Sequence, residues 1–178
     1  MENALHWAIL PASYLAGSVP FGWIAVKALR GVDLRQCGSG NIGATNAARV
    51  LGWKLFPLIF ALDFAKGFLP SWLASALGRG AGSSFDPHVL AILAGLCAIL
   101  GHVFPVFLGF RGGKAVATSC GVFVCLAPLP TAIAFAVSST SCPSSRPLMR
   151  VSPTAMAPRI SDRCETDLSP GTAAVPAR

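Results

Sequence analysis

The chain has 178 residues, of which 53% are hydrophobic and 12% are charged, and its formal net charge is +7. Soluble domains contain about 25% charged residues, so this composition and a mean hydropathy of +0.63 exclude an ordinary soluble domain. We predict an all-α, polytopic transmembrane helix bundle with about four spans.

The first predicted span covers residues 3–26, which include no Asp, Glu, Lys or Arg. It is long enough to cross the roughly 30 Å hydrocarbon layer. Pro11, Gly17, Pro20 and Gly22 interrupt it, so we expect a bent or partly unwound helix. The N-terminus lacks the basic start of a cleaved signal, so we expect the span to be retained.

A polar loop with almost no large side chains follows the first span. Its glycines allow a close backbone approach to a ligand, and its polar side chains offer donors suited to phosphate. The residues that we expect to form this anion cradle are Gly38, Ser39, Gly40, Asn41, Gly43, Thr45, Asn46 and Arg49. The alternative is that these residues only form a tight connection between two helices. We favour anion binding, because hydrogen-bond donors and a flexible backbone occur together in this loop.

Basic residues are concentrated around this loop, since residues 27–54 contain five Lys or Arg against the single acid Asp33. Such an excess is typical of cytoplasmic loops, so we expect this loop inside and the N-terminus outside. The loop over 78–88 is neutral and fits the outside. The loop over 109–114 contains Arg111 and Lys114 and is again predicted inside.

The second predicted span, residues 55–77, contains Asp63 and Lys66 three residues apart on one helix face. Charged side chains inside a membrane span rarely face lipid. Two interpretations stay open. The two groups pair with each other so that both can be buried, or they support the polar site.

The third and fourth predicted spans cover residues 89–110 and 115–137, and Gly112-Gly113-Lys114 lies between them at a helix start. A helix start offers free N–H groups and a positive dipole end, which favours a second anion site. Simple anchoring by positive charge is equally open. His102, near the end of the third span, is interpreted as a cap or a proton carrier; no Asp follows it closely enough for a local His–Asp base.

From residue 138 onward the composition changes to Ser, Pro, Thr and Arg, without aromatic residues. Such a segment cannot form a packed core. We therefore divide the chain into a transmembrane domain, 1–137, and a low-complexity tail, 138–178, which is disordered or the product of a frameshift. The cysteines show no C-x-x-C spacing, so no metal site is predicted.

Five blocks of the sequence resemble, in order, the bacterial acyl-phosphate-dependent glycerol-3-phosphate acyltransferases. These blocks are residues 17–22, 38–49 with Leu51-Gly52, 62–67, 101–105 and 112–118. The resemblance implies a bacterial inner-membrane enzyme of phospholipid synthesis that transfers a fatty acyl group from acyl-phosphate to the 1-hydroxyl of glycerol 3-phosphate, giving lysophosphatidic acid. The implied partners are acyl-phosphate, glycerol 3-phosphate and membrane lipid, with no acyl-CoA, metal, other cofactor or nucleic acid.

The resemblance also implies roles for individual residues. Ser39, Arg49 and Lys114 would be catalytic, with Lys114 as the main phosphate-binding cation. Asn41 and Thr45 would bind substrate. From the loops and spans themselves we add Gly38, Gly40, Asn46, Gly112, Gly113 and Thr118 as expected substrate-binding residues, and His102, Asp63 and Lys66 as expected supporting residues.

The chain departs from the family pattern in two ways. Ala115 stands where Gly is common, and the family has seven spans with an essential His and Asn in a later block. This chain has no His after His102 and no Asn after Asn46. We therefore expect the chain alone to have little or no acyltransferase activity. A transporter or channel for small phosphorylated solutes, or an inactive truncated paralogue, are the alternatives.

Overall fold

The computed structural model describes residues 2–80 and 86–140, and the regular secondary structure of these residues is entirely helical. The α-helices are α1 Glu2–Ser18, α2 Phe21–Arg30, α3 Ala44–Leu51, α4 Phe56–Gly78, α5 Pro87–Val103, α6 Val116–Leu126 and α7 Pro128–Thr140, with short 3-10 helices at Leu34–Gln36, Trp53–Leu55 and Val106–Leu108. Three stretches are long and apolar enough to cross a membrane: Trp7–Arg30, Trp53–Gly78 and Pro87–Leu108. These findings confirm the predicted all-α membrane fold.

The first span is interrupted between α1 and α2, as its sequence predicted. The break lies at Val19-Pro20. Proline has no N–H to donate, and its ring disfavours helical backbone in the residue before it. Pro11, in contrast, is accommodated inside α1.

Glycines bring the long helices into close contact. A Cβ on Gly17 of α1 would overlap the carbonyl oxygen of Ala98 in α5, and one on Gly67 of α4 would overlap that of Thr118 in α6. The bundle is therefore built from α1 packed on α5 and from α4 packed between α5 and α6. Because α4 starts and α5 ends at the same end of the bundle, the two polar loops meet there.

The fourth predicted span differs from the structure, because residues 115–137 are divided between α6 and α7. Pro128 begins the second of these helices, and Ala127 before it has non-helical dihedral angles, φ −147° and ψ 71°. Helix α6 alone, with 11 residues, is about 16 Å long, which is too short to cross a bilayer.

The predicted tail begins at Ser138, whereas α7 continues to Thr140. The rest of that tail, residues 141–178, lies outside the described residues.

Candidate functional site

A cavity of about 440 Å³ lies at the end of the bundle where the two polar loops meet. Its walls come from the first loop with α3, from α4, from the end of α5 and from the second loop with α6. The lining residues are Ser39, Asn41, Gly43, Ala44, Thr45, Asn46, Arg49, Phe56, Phe60, Asp63, His102, Lys114, Ala115, Val116 and Ala117. The two predicted anion-binding loops therefore share one cavity.

Asn46 holds the first loop together. Its Oδ1 accepts a hydrogen bond from the Ser39 N–H at 3.0 Å, and its Nδ2 donates to the carbonyl oxygens of Cys37 and Asn41, each at 2.9 Å. The residue is only 2% exposed. It borders the cavity as predicted for a substrate-binding residue, but its carboxamide serves the loop and thereby fixes Ser39.

The glycines of the first loop shape its backbone. Gly38 and Gly40 have φ angles of 56° and 70°, which favour glycine. The N–H of Gly40 donates to the Cys37 carbonyl and that of Gly43 to Asn41 Oδ1, both at 3.0 Å. Acceptors within the loop therefore engage these two N–H groups, and anion binding by the loop stays a prediction.

The glycine N–H groups of the second loop are also engaged by acceptors within the protein. The N–H groups of Gly112 and Gly113 donate to the carbonyl oxygens of Val103 and His102, each at 3.1 Å. These two bonds attach the loop to the end of α5, and the free N–H groups expected at the start of α6 stay a prediction. A Cβ on Gly112 would overlap the His102 carbonyl oxygen, which explains why glycine occupies the position.

Two cations remain at the cavity wall, Arg49 from α3 and Lys114 from the second loop, and both are exposed. Lys114 precedes the first turn of α6, where the helix dipole adds positive potential. Arg35, another cation of the first loop, is not among the cavity-lining residues and forms an ion pair with Asp33 at 2.6 Å. Its guanidinium hydrogen bonds hold the pKa of Asp33 well below the usual range, which keeps this pair charged.

Asp63 and Lys66 are buried and form an ion pair, with Lys66 Nζ 2.9 Å from Asp63 Oδ1. This is the mutual pairing that the sequence offered as one explanation for two charged residues inside a span. Asp63 also lines the cavity, so its position is compatible with the other explanation, a supporting role in the polar site.

His102 lies beside this pair, with its Nδ1 4.0 Å from Asp63 Oδ1 and 3.2 Å from Thr118 Oγ1. The sequence has no local His–Asp pair, but the fold brings the two residues together from α5 and α4. Thr118 is fully buried and is not among the cavity-lining residues, although it was expected to bind substrate.

Sequence reasoning missed an apolar part of the wall. Phe56 and Phe60 border the cavity, with ring centroids 5.7 Å apart. Their spacing of four residues places them on one face of α4, and Asp63 follows three residues later on that face. This spacing could have identified the two phenylalanines as neighbours of the polar site.

Within the described part of the chain, no group of three or more His, Cys, Asp or Glu side chains is arranged to hold a metal ion.

The chain matches the family model described as glycerol-3-phosphate acyltransferase over residues 7–157. Among curated proteins of that name, the one from Chlorobium phaeobacteroides is 45% identical over 134 residues, covering 73% of this chain and 57% of the relative. The protein from Anaeromyxobacter dehalogenans is 48% identical over 128 residues, covering 71% and 61%. The one from Aquifex aeolicus is 48% identical over 126 residues, covering 70% and 62%. The chain thus spans about three fifths of the length of these relatives.

Two crystal structures of PlsY (YgiH), an integral membrane glycerol 3-phosphate acyltransferase, have a similar fold. The glycerol 3-phosphate form is 43% identical with a TM-score of 0.66, and the match covers 76% of this chain and 64% of that one. The lysophosphatidic acid form is 42% identical with a TM-score of 0.63, covering 74% and 62%.

Proposed function

Because the chain belongs to the glycerol-3-phosphate acyltransferase family, we propose that it transfers a fatty acyl group from acyl-phosphate to the 1-hydroxyl of glycerol 3-phosphate. The products are lysophosphatidic acid and phosphate. The observation that carries the proposal is the shared cavity, which is lined by Ser39 of the first loop, Arg49 of α3 and Lys114 of the second loop. The similar structures with glycerol 3-phosphate and lysophosphatidic acid support the choice of acceptor and product.

The cavity suits a reaction between two phosphorylated molecules. Both reactants are anionic and repel each other, so the site has to supply positive charge before they can approach. Arg49 and Lys114 supply it from two walls of one cavity. Holding both reactants in reacting geometry beside these charges lowers the barrier through proximity and charge stabilisation.

The reaction needs a nucleophile, a leaving group and a proton acceptor. The 1-hydroxyl oxygen attacks the acyl carbonyl carbon, the bond from that carbon to the phosphate oxygen breaks, and phosphate leaves. We assign the hydroxyl proton to a substrate phosphate oxygen, because Asp63 is already paired with Lys66. The protein then acts mainly by positioning and by its charge.

The apolar wall suits the acyl donor. Phe56, Phe60 and Val116 border the same cavity as the cations. An acyl-phosphate has an anionic head and a hydrocarbon chain, so a cavity with a cationic side and an aromatic side matches both of its parts.

The chain is a membrane protein, and we propose the bacterial inner membrane with both loops on the cytoplasmic side and the N-terminus outside. Residues 27–54 contain five Lys or Arg against one acid, which supports this orientation. The shared cavity supports placing both loops on the same side of the membrane.

The proposal is tested first by binding. The 178-residue chain in lipid nanodiscs should bind glycerol 3-phosphate and a non-hydrolysable acyl-phosphate analogue, and Lys114→Ala should weaken binding of both. Lys54→Ala is the matched control, because Lys54 is an exposed basic residue that is not among the cavity-lining residues. Absence of binding by the wild-type chain would contradict the proposed function.

Transfer is tested in a chimera, because this chain spans about three fifths of its relatives and we expect little activity from it alone. Residues 1–140 are joined to the remaining C-terminal part of the Aquifex aeolicus relative, which is 48% identical over the matched region. The chimera should form lysophosphatidic acid from acyl-phosphate but not from acyl-CoA. Full transfer by its Lys114→Ala variant would contradict the electrostatic account, and uptake of glycerol 3-phosphate into vesicles without transfer would favour a transporter.

A further inference from the structure

The buried ion pair of Asp63 and Lys66 has a definite orientation toward the cavity. Both side chains are nearly inaccessible, at 3% and 4% of their surface. Asp63 borders the cavity, whereas Lys66 is not among its lining residues. The cavity therefore faces the negative member of the pair, with the ammonium group behind it.

The ammonium group is held in place by the break in the first span. Lys66 Nζ donates a hydrogen bond to the carbonyl oxygen of Val19 at 2.8 Å. Val19 directly follows α1, where carbonyl oxygens lack donors from a continuing helix. Nζ also lies 5.6 Å from the ring centroid of Phe21, within the range of a cation–π contact. The interrupted helix thus fixes the cation that holds Asp63.

The carboxylate of Asp63 has spare capacity as a hydrogen-bond acceptor. Lys66 Nζ is close enough to Oδ1 for an ion pair, yet Oδ1 has no aligned hydrogen-bond donor among the described residues. A buried acceptor without a donor is costly, which makes this group a candidate for a bond to a ligand. Among the residues that line the cavity, Asp63 is the single acid.

A carboxylate and two cations around one cavity select different ends of a polyol phosphate. Phosphate oxygens are attracted by Arg49 and Lys114 and repelled by Asp63. Hydroxyl groups can donate hydrogen bonds to a carboxylate, which a fully ionised phosphate cannot do. We propose that Asp63, held by Lys66, accepts a hydrogen bond from a hydroxyl of the glycerol moiety and so orients glycerol 3-phosphate with its phosphate toward the two cations.

This inference rests on the proposed function for the identity of the substrate, and it makes Asp63 a determinant of specificity. The test measures binding of glycerol 3-phosphate and of inorganic phosphate to the 178-residue chain in nanodiscs. Asp63→Asn removes the charge with little change of shape. We expect it to weaken glycerol 3-phosphate binding by about tenfold, the equivalent of ~1.4 kcal/mol, and to leave inorganic phosphate binding unchanged or tighter.

Asp86→Asn is the matched control. Asp86 caps the start of α5 by accepting hydrogen bonds from the N–H groups of His88 and Val89, at the end of the bundle opposite the cavity. Asparagine caps helices about as well as aspartate, so this variant loses one negative charge and keeps the helix start. It should bind both ligands like the wild type.

The outcomes separate the two proposals. Equal glycerol 3-phosphate binding by Asp63→Asn and the wild type, or equal loss of both ligands, would overturn the role of Asp63 and leave the proposed function standing. A wild-type chain that binds neither ligand would overturn both.

A comparison of two ligands on the wild-type chain tests the hydroxyl contact without any substitution. The wild-type chain should bind glycerol 3-phosphate about tenfold more tightly than methyl phosphate, which is also a phosphate monoester but has no hydroxyl groups on its carbon. Equal affinities would overturn the proposed hydroxyl contact.

Discussion

The side-chain oxygen of Asn46 accepts a hydrogen bond from the backbone N–H of Ser39, at 3.0 Å. This bond connects α3 to the start of the first polar loop across seven residues of sequence. The same carboxamide donates to the backbone carbonyl oxygens of Cys37 and Asn41 at 2.9 Å and, at 3.4 Å, to that of Leu34. The shape of this cavity wall therefore depends on one buried side chain.

We expect Asn46→Ala to destabilise the protein strongly. The substitution removes the side-chain partner of the Ser39 N–H and of the Asn41 carbonyl oxygen, and a polar group left unpaired away from water costs about 1–3 kcal/mol. Ser39→Ala is the matched control, because it removes a hydroxyl group and keeps the backbone N–H. Thermal unfolding in detergent should show a clearly lower Tm for Asn46→Ala and a near-normal Tm for Ser39→Ala. Equal Tm values would show that Asn46 does not organise the loop.

The two cavity cations should dominate anion binding. Arg49→Ala and Lys114→Ala each remove a charge that borders the cavity. We expect each variant to bind inorganic phosphate at least about tenfold more weakly at low salt, with a smaller difference at high salt because of screening. Titration of the variants and of Lys54→Ala by calorimetry checks this. A loss in Lys54→Ala as large as that in Lys114→Ala would indicate a diffuse charge effect instead.

The glycines of the first loop should respond differently to substitution. Gly38→Ala forces a side chain into a left-handed conformation, at a cost of about 1–2 kcal/mol, and its Cβ would overlap Asn46 Oδ1. Gly43 has a φ of −76°, and a Cβ there would make only an ordinary contact with Asn41 Oδ1, at 3.4 Å. We expect Gly38→Ala to lower the Tm and Gly43→Ala to have a small effect. The reverse order would contradict the described loop geometry.

Ala115 is the residue for which we expect a stabilising substitution. It has a φ of 54°, a left-handed conformation that is unfavourable for a residue with a Cβ. Ala115→Gly relieves this strain by about 1–2 kcal/mol, partly offset by the greater freedom of glycine in the unfolded chain. The Tm should rise by a few degrees. Ala117→Gly, inside α6, should lower it; a fall in both variants would contradict the assigned backbone conformation.

The sequence was sufficient to predict the main spans and the family, both of which are confirmed. Hydropathy identifies segments that must be helical in lipid. The Pro and Gly residues of the first span predicted an interruption, which the structure places at Val19-Pro20. The division of the fourth span at Pro128 was missed, because apolar composition continues across that break. A proline inside a span can be accommodated, as Pro11 is, or can separate two helices.

The contents of the site were less predictable. The glycine pair of the second loop was expected to lie at an anion site, and its two N–H groups bond to the carbonyl oxygens of Val103 and His102 at the end of α5. The proximity of Asp63 and His102 likewise results from packing of α4 against α5 and has no local sequence pattern. Residue types indicated which groups could bind anions, but the tertiary structure decides which of them remain available.

A double-mutant cycle on Arg49 and Lys114 tests most directly whether the two loops act on one ligand. Binding of glycerol 3-phosphate is measured for the wild type, Arg49→Ala, Lys114→Ala and the double variant. If both cations hold ligand in the one cavity of about 440 Å³, the loss in the double variant should differ from the sum of the single losses by at least about 0.5 kcal/mol. Additive losses, equal within about 0.3 kcal/mol, would contradict a shared site.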